Sequence, residues 1–265
     1  MNRQKTNKEN INTREVTTEI VLRNHAGQIV PVWNETWLGK FLREHFNFRN
    51  RLPLLGFYDS VLRTHNIITN VGHAAANGRI SNQGGYGVFT DIAIGTGTLS
   101  VGATDMALFI EATGNGSNRA AATASQVTTS VTNDTTQLVI TFTFTGSFAI
   151  TEEGIFDGTA APTQTTTTQS RINTDTTVTV TSGASFTNND FVQWEQEIIQ
   201  VTSGGGTGTL TIARAQKGTS AASHASGTTL NDITANGKNL LAHQGFSAVN
   251  VASGDSLQVT HKYQT

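Results

Sequence analysis

Between Gln137 and Gly158 the chain reads QLVITFTFTGSFAITEEGIFDG, and its hydrophobic positions recur at every second residue. Ile140, Phe142 and Phe144 fall on one face, and Thr141, Thr143 and Thr145 on the other. That period belongs to a strand with one buried and one hydrated side. Gly146 permits a bend, after which Phe148 and Ile150 resume the alternation. Glu152-Glu153-Gly154-Ile155-Phe156-Asp157-Gly158 then gives a short second strand ending on an Asp-Gly turn signal. Neighbouring strand residues face opposite sides, so Glu152 and Glu153 are not expected to act jointly on one substrate.

Taken in order, Met1 to Glu19 is polar, and residues 1–19 predict a flexible N-terminal arm. Residues 20–65 predict a hairpin and an aromatic-rich helix. Glu19–Arg23 and Gln28–Val32 flank the turn Asn24–Gly27, and Asn34 or Thr36 caps a helix carrying Trp37, Leu38, Phe41, Leu42 and His45. A second helix is expected over Asn66–Asn77, and strands over Val88–Ile94, Ala103–Glu111 and Arg119–Val131. Ala161–Gln169 is Thr-rich and reads as a linker. Beyond it, Thr176–Thr181, Phe191–Trp194, Glu197–Val201 and Thr209–Ala213 alternate with turns, and Ser256–Tyr263 closes the chain as a strand. The expected fold is mainly β. Residues 66–160 and 232–265 form a β-sandwich, with a short helical N-terminal segment and a small β module, 161–231, inserted at a hairpin tip. The arms of that hairpin are Thr151–Phe156 and Leu240–Val249.

Composition narrows the function classes. Charged residues make up 14% of the chain and Gly is frequent, unlike a typical soluble metabolic enzyme. With no cysteine, disulfides and thiolate chemistry are excluded. No apolar run approaches a membrane span and no signal-peptide h-region is present, so a soluble, cytoplasmic start is expected, with neither membrane nor nucleic acid as partner. Charge is uneven: residues 1–65 hold ten Lys and Arg against six Asp and Glu, and the remainder seven against thirteen. A basic end on an acidic body suits docking to an acidic surface, or is simply a solvated tail.

Catalytic patterns are thin. Gly95-Thr-Gly-Thr-Leu-Ser lacks the last glycine of a dinucleotide loop, and Gly204–Gly208 lacks the lysine of a phosphate loop. The histidines show no metal spacing, and His25, His45, His65 and His73 read as surface or cap residues. Glu195 and Glu197 share a strand face beside Trp194, a pairing open to a glycosidase but better suited to a hydrated face. No catalytic, cofactor or metal site is expected. Trp33, Trp37, Phe41, Phe46, Phe48, Phe57 and Tyr58 crowd together, interleaved with Arg43, Arg49 and Arg51. Such a cluster is core or interface. As an interface its contact residues are Trp33, Trp37, Phe41, Arg43, Phe46, Phe48, Arg49 and Arg51. Trp194 is the candidate platform for stacking a glycan.

Asp91-Ile-Ala-Ile-Gly-Thr-Gly-Thr98, Ala103-Thr-Asp-Met-Ala-Leu108 and Ile150-Thr-Glu-Glu-Gly-Ile-Phe-Asp157 resemble a family of tailed-bacteriophage virion proteins. So do Leu240-Leu-Ala-His-Gln-Gly-Phe-Ser-Ala-Val-Asn250 and Ser253-Gly-Asp-Ser-Leu-Gln-Val-Thr260. The segment Thr176 to Leu230 is similar to a small β module common in phage structural proteins. In that family a short turn joins the strands that this chain separates by the inserted module. The resemblance spans 66–265 and implies a non-enzymatic virion component, a capsid decoration or neck or tail accessory protein. Its implied partners are other virion proteins in a homo-oligomeric setting, and its place is the virion, assembled in the host cytoplasm. A carbohydrate-binding host-attachment module is the alternative, with a host surface glycan as partner.

Overall fold

The computed structural model describes residues 15–46, 52–234 and 239–264. In chain order the first strands are β1 Glu15–Arg23, β2 Ile29–Val30, β3 Val32–Glu35, β4 Gly56–Asp59, β5 Leu62–His65 and β6 Ile67–Ile68. They are followed by β7 Asp91–Gly95, β8 Ala120–Ala121, β9 Thr123–Val127, β10 Thr135–Thr143 and β11 Phe148–Phe156. Then come β12 Thr163–Thr166, β13 Thr177–Thr179, β14 Phe191–Trp194, β15 Glu197–Ser203, β16 Thr209–Ala213 and β17 Thr229–Asp232. The last two are β18 Leu240–Val251 and β19 Ser256–Gln264. The α-helices among the described residues are α1 Trp37–Phe46 and α2 Asn70–Ser81.

The chain is mainly β, as its alternation predicts. One sheet runs β2-β1-β19-β10-β9, with β5 also on β1, and a second runs β6-β18-β11-β7-β8. Their inner faces share one core. Ile20, Leu138, Phe142, Leu257 and Val259 come from the first sheet, and Ile92, Ile94, Ile150, Ile155 and Val249 from the second. The alternating ribbon is therefore divided: β10 pairs with β19 and β9, while β11 pairs with β18 and β7. The bend around Gly146 carries the chain from one sheet to the other.

A third sheet, β12-β17-β14-β15-β16-β13, lies in sequence between β11 and β18, which pair with each other from Phe148↔Val251 to Phe156↔Leu240. It has its own core of Val178, Phe186, Val192, Trp194, Ile199, Leu210 and Leu230.

Several expectations need correction. Residues 15–19 of the expected arm belong to β1, because Val16, Thr18 and Ile20 turn inward and the strand pairs with both β19 and β5; residues 1–14 lie outside the described residues. The second helix starts later, at Asn70, since Thr69 caps it by accepting from the Gly72 amide and Ile67–Ile68 pairs with β18. Thr163–Thr166 is no linker but an edge strand on β17. Ala103–Glu111 is not a strand, although Gly95↔Glu111 forms an isolated bridge. From Met106 to Ile110 most of its amides bond to the side chains of Gln193 and Glu152, while the Ile110 carbonyl accepts from Thr96.

Candidate protein–protein interface

Helix α1 starts at a Thr36 cap. The Thr36 Oγ1 accepts from the Gly39 amide at 3.3 Å, and its carbonyl accepts from Lys40 at 2.9 Å. The helix then packs through Gly39 onto the chain before β4, where a Cβ would stand 2.1 Å from the Leu55 carbonyl oxygen. Only a glycine allows that approach. The close contact turns the aromatic residues of α1 outward. Trp37 is 80% exposed and Phe46 69%, with Phe41 and His45 also on the surface. Trp37, Phe41 and His45 stand four residues apart and form one stacked row, with ring centroids 6.1 Å and 4.5 Å apart. Phe46 meets Phe41 edge-on; Leu54, Phe57 and Tyr58 of the neighbouring segment are exposed as well, Phe57 and Tyr58 on opposite faces of β4. Soluble monomers rarely expose an apolar patch beyond a few hundred Å2. Beside it a pocket of about 210 Å3, lined by residues including Glu35, Lys40, Arg63 and Ser247, gives a polar border.

Among the expected contact residues, Trp37, Phe41 and Phe46 come together on this face. Trp33 does not. It is buried, its ring lies over Gly56 and it meets Tyr58 edge-on at 5.1 Å, so it supports the face from behind. Arg43 lies on α1 with its side chain outside the description; Phe48, Arg49 and Arg51 fall outside the described residues.

Trp194 is a second correction. It is fully buried in the third sheet's core, donates Nε1–H to Thr228 at 2.8 Å and stacks on His224 at 3.9 Å, so no glycan reaches its face. Nor do Glu195 and Glu197 share a hydrated strand face: Glu195 lies in the β14–β15 turn at φ 56°, and Glu197 opens β15. Glu197 is 1% exposed, receives both Nε and Nη2 of Arg214, and accepts from the Ala215 and Ala222 amides. His224 lies between the two carboxylates. Burial alone raises a carboxyl pKa, but Arg214, His224 and these amides outweigh it and hold Glu197 at about 2. A carboxylate so held is a poor proton donor, and the cluster staples the loop between β16 and β17.

The third sheet is attached to the sandwich through the segment that fails to form a strand. Gln193 accepts from the Met106 and Ala107 amides at 2.7 and 2.9 Å and donates to the Ala107 carbonyl. Asn231 donates to the Leu108 and Phe109 carbonyls. From the other side Glu152 accepts from the Gly97, Phe109 and Ile110 amides at 2.9, 3.0 and 2.9 Å. His243 links Glu152 at 2.9 Å to Asp105 at 2.8 Å. Burial pushes the His243 pKa down, but the two carboxylates outweigh it and raise it to about 9, so the ring is a buried imidazolium. Glu153, on the opposite face of β11, points into the sandwich. It meets Thr18 at 2.8 Å and Asn66 at 2.6 Å, and burial raises its pKa.

Sequence reasoning missed these networks. Its only signal was the pair of acidic residues inside an otherwise apolar strand. No family model matches the chain, and no curated protein sequence matches it either.

Proposed function

We propose that the protein is a non-enzymatic structural component of a tailed-phage particle that binds neighbouring virion subunits in many copies. The phage setting rests on the sequence resemblance. The mechanism is supported above all by one observation, the exposed aromatic row Trp37–Phe41–His45 with Phe46 edge-on to it. Large aromatics at an interface centre carry most of the binding energy. Many equivalent contacts on a repetitive surface multiply weak affinities, so no single site need be tight. The buried networks at the seam suit this role, because they fix the third sheet against the sandwich without offering a reactive group to solvent. The glycan-binding alternative loses its stacking residue with the burial of Trp194.

The test is Trp37→Ala. At 80% exposure the side chain contributes little to the isolated fold, so stability is expected to change by less than about 0.5 kcal/mol. Occupancy on particles is expected to fall by a free energy of about 2 kcal/mol or more. Normal occupancy of a stably folded variant overturns the proposal.

A further inference from the structure

A buried polar cluster in the sandwich joins four elements that are far apart in sequence. In β1 every second residue turns inward, and Thr18 faces His261 directly across the β1–β19 pair. Beside it the chain leaves β5, and the backbone amide of Asn66 donates to the Val16 carbonyl at 3.0 Å, which sets the Asn66 side chain next to Thr18. Glu153 reaches the same point from β11 in the other sheet. Thr18, Glu153 and His261 are each at most 1% exposed, while Asn66 is half-buried.

The cluster holds a nucleophile, an electrophile and a base in contact. Thr18 Oγ1 lies 2.8 Å from Oδ1 of the Asn66 carboxamide and 3.0 Å from Nδ1 of His261. With a C=O bond of about 1.2 Å, the carboxamide carbon is within about 4 Å of that hydroxyl oxygen. A hydroxyl has one proton to give; given to Nδ1, it leaves the oxygen's lone pairs free for the carboxamide. The same Nδ1 lies 3.3 Å from Nδ2 of Asn66. One ring nitrogen therefore faces both the attacking oxygen and the nitrogen that would leave, the position from which an imidazole moves a proton between the two. Burial lowers the His261 pKa to about 3, so the ring is neutral at pH 7, and the tautomer with Nδ1 bare is the reacting one. Glu153 Oε1, 2.8 Å from the hydroxyl, accepts from Asn66 Nδ2 at 2.6 Å and holds the carboxamide in place, a role the oxygen of a glutamine would also fill.

We infer that Thr18 and Asn66 condense into an internal ester. Oγ1 of Thr18 bonds to Cγ of Asn66, the Cγ–Nδ2 bond breaks, and the hydroxyl proton passes through His261 to the leaving nitrogen, which departs as ammonia. The step runs once per chain and needs no oxidant or co-reactant. Asn66 is the half-buried member, so ammonia has a way out, and the burial of the other three residues keeps water from the ester. The bond closes the loop from Thr18 to Asn66, which carries α1 and its aromatic row, and anchors the root of that segment in the sandwich. It does not depend on the virion reading.

The experiment is intact-mass spectrometry of the purified full chain, followed by peptide mapping. The folded protein is expected to weigh about 17 Da less than its sequence, the mass of ammonia. Trypsin is expected to release one branched peptide joining Glu15–Arg23 to Thr64–Arg79, and mild alkali to split it, since alkali hydrolyses an ester far faster than an amide. An asparagine can lose the same mass as a succinimide, and Asn77, Asn115 and Asn236 each precede a glycine, so the branched peptide decides. Thr18→Ser keeps the hydroxyl and is expected to keep the branch. Thr18→Val is expected to show no branch whether or not it folds. A wild-type chain at its full sequence mass overturns the inference, and so does a loss of ammonia carried by an unbranched peptide.

Discussion

Glu152→Gln and Glu153→Gln are adjacent and chemically identical changes, yet the structure predicts very unequal costs. Glu152 accepts three backbone amides and Nε2 of His243, all within 3.0 Å, so each of its oxygens faces donors only. A glutamine there must turn an N–H toward another donor and removes half of the countercharge of a fully buried imidazolium. Breaking a buried pair from one side costs about 3–5 kcal/mol. Burial raises the Glu153 pKa, and its hydrogen bonds are to the neutral side chains of Thr18 and Asn66, so an amide there breaks no ion pair and the cost is expected to stay below about 1 kcal/mol. Urea unfolding at pH 7, followed by tryptophan emission and by circular dichroism, measures both. Equal losses, or a larger loss for Glu153→Gln, refute the different hydrogen-bonding roles assigned to the two faces of β11.

Further outcomes follow from the same networks. The His243 pKa is raised from near 6.5 to about 9, so its stabilisation is complete below pH 6.5 and is lost as pH rises through 9. About 3 kcal/mol should disappear over that window in denaturant titrations, and a flat profile contradicts the imidazolium. Joining Gly158 to Asn236, which removes residues 159–235 and with them the third sheet, should leave a folded sandwich. The Met106 and Ala107 amides, now lacking Gln193, should then exchange with deuterium far faster than in the full chain; unchanged protection would show that Gln193 does not hold the segment. Arg214→Leu strands the Glu197 carboxylate in the interior, and a cost of about 3–5 kcal/mol confined to the third sheet is expected in hydrogen exchange. A loss spread evenly over the whole chain contradicts that confinement.

Much of the fold is legible in the sequence because most strands have one wet and one dry face. The alternation of Ile140, Phe142 and Phe144 marks β10, and Phe191–Trp194 and Thr209–Ala213 match strands residue for residue. Periodicity fails where a strand is covered on both sides. Every residue from Ile150 to Phe156 is buried, so β11 loses its alternating signal after Ile150, and nothing in the pattern shows that both of its glutamates lie inside. It fails again at Ala103–Glu111, where Glu152, Gln193 and Asn231, distant in sequence, replace the ladder that its composition suggests. The candidate interface was partly legible. Helical spacing placed Trp37 and Phe41 together, but only the contact of Gly39 with Leu55 decides that this row faces solvent. Trp33 and Trp194 show the converse: an aromatic beside charged residues reads as a contact until its neighbours are known to enclose it.

The most direct test of the central claim is a reconstruction of the phage particle at a resolution that traces this chain. The account predicts repeated copies with Trp37, Phe41 and Phe46 packed against a neighbouring subunit. Copies whose α1 aromatic row points into solvent, or particles lacking the chain altogether, would contradict it.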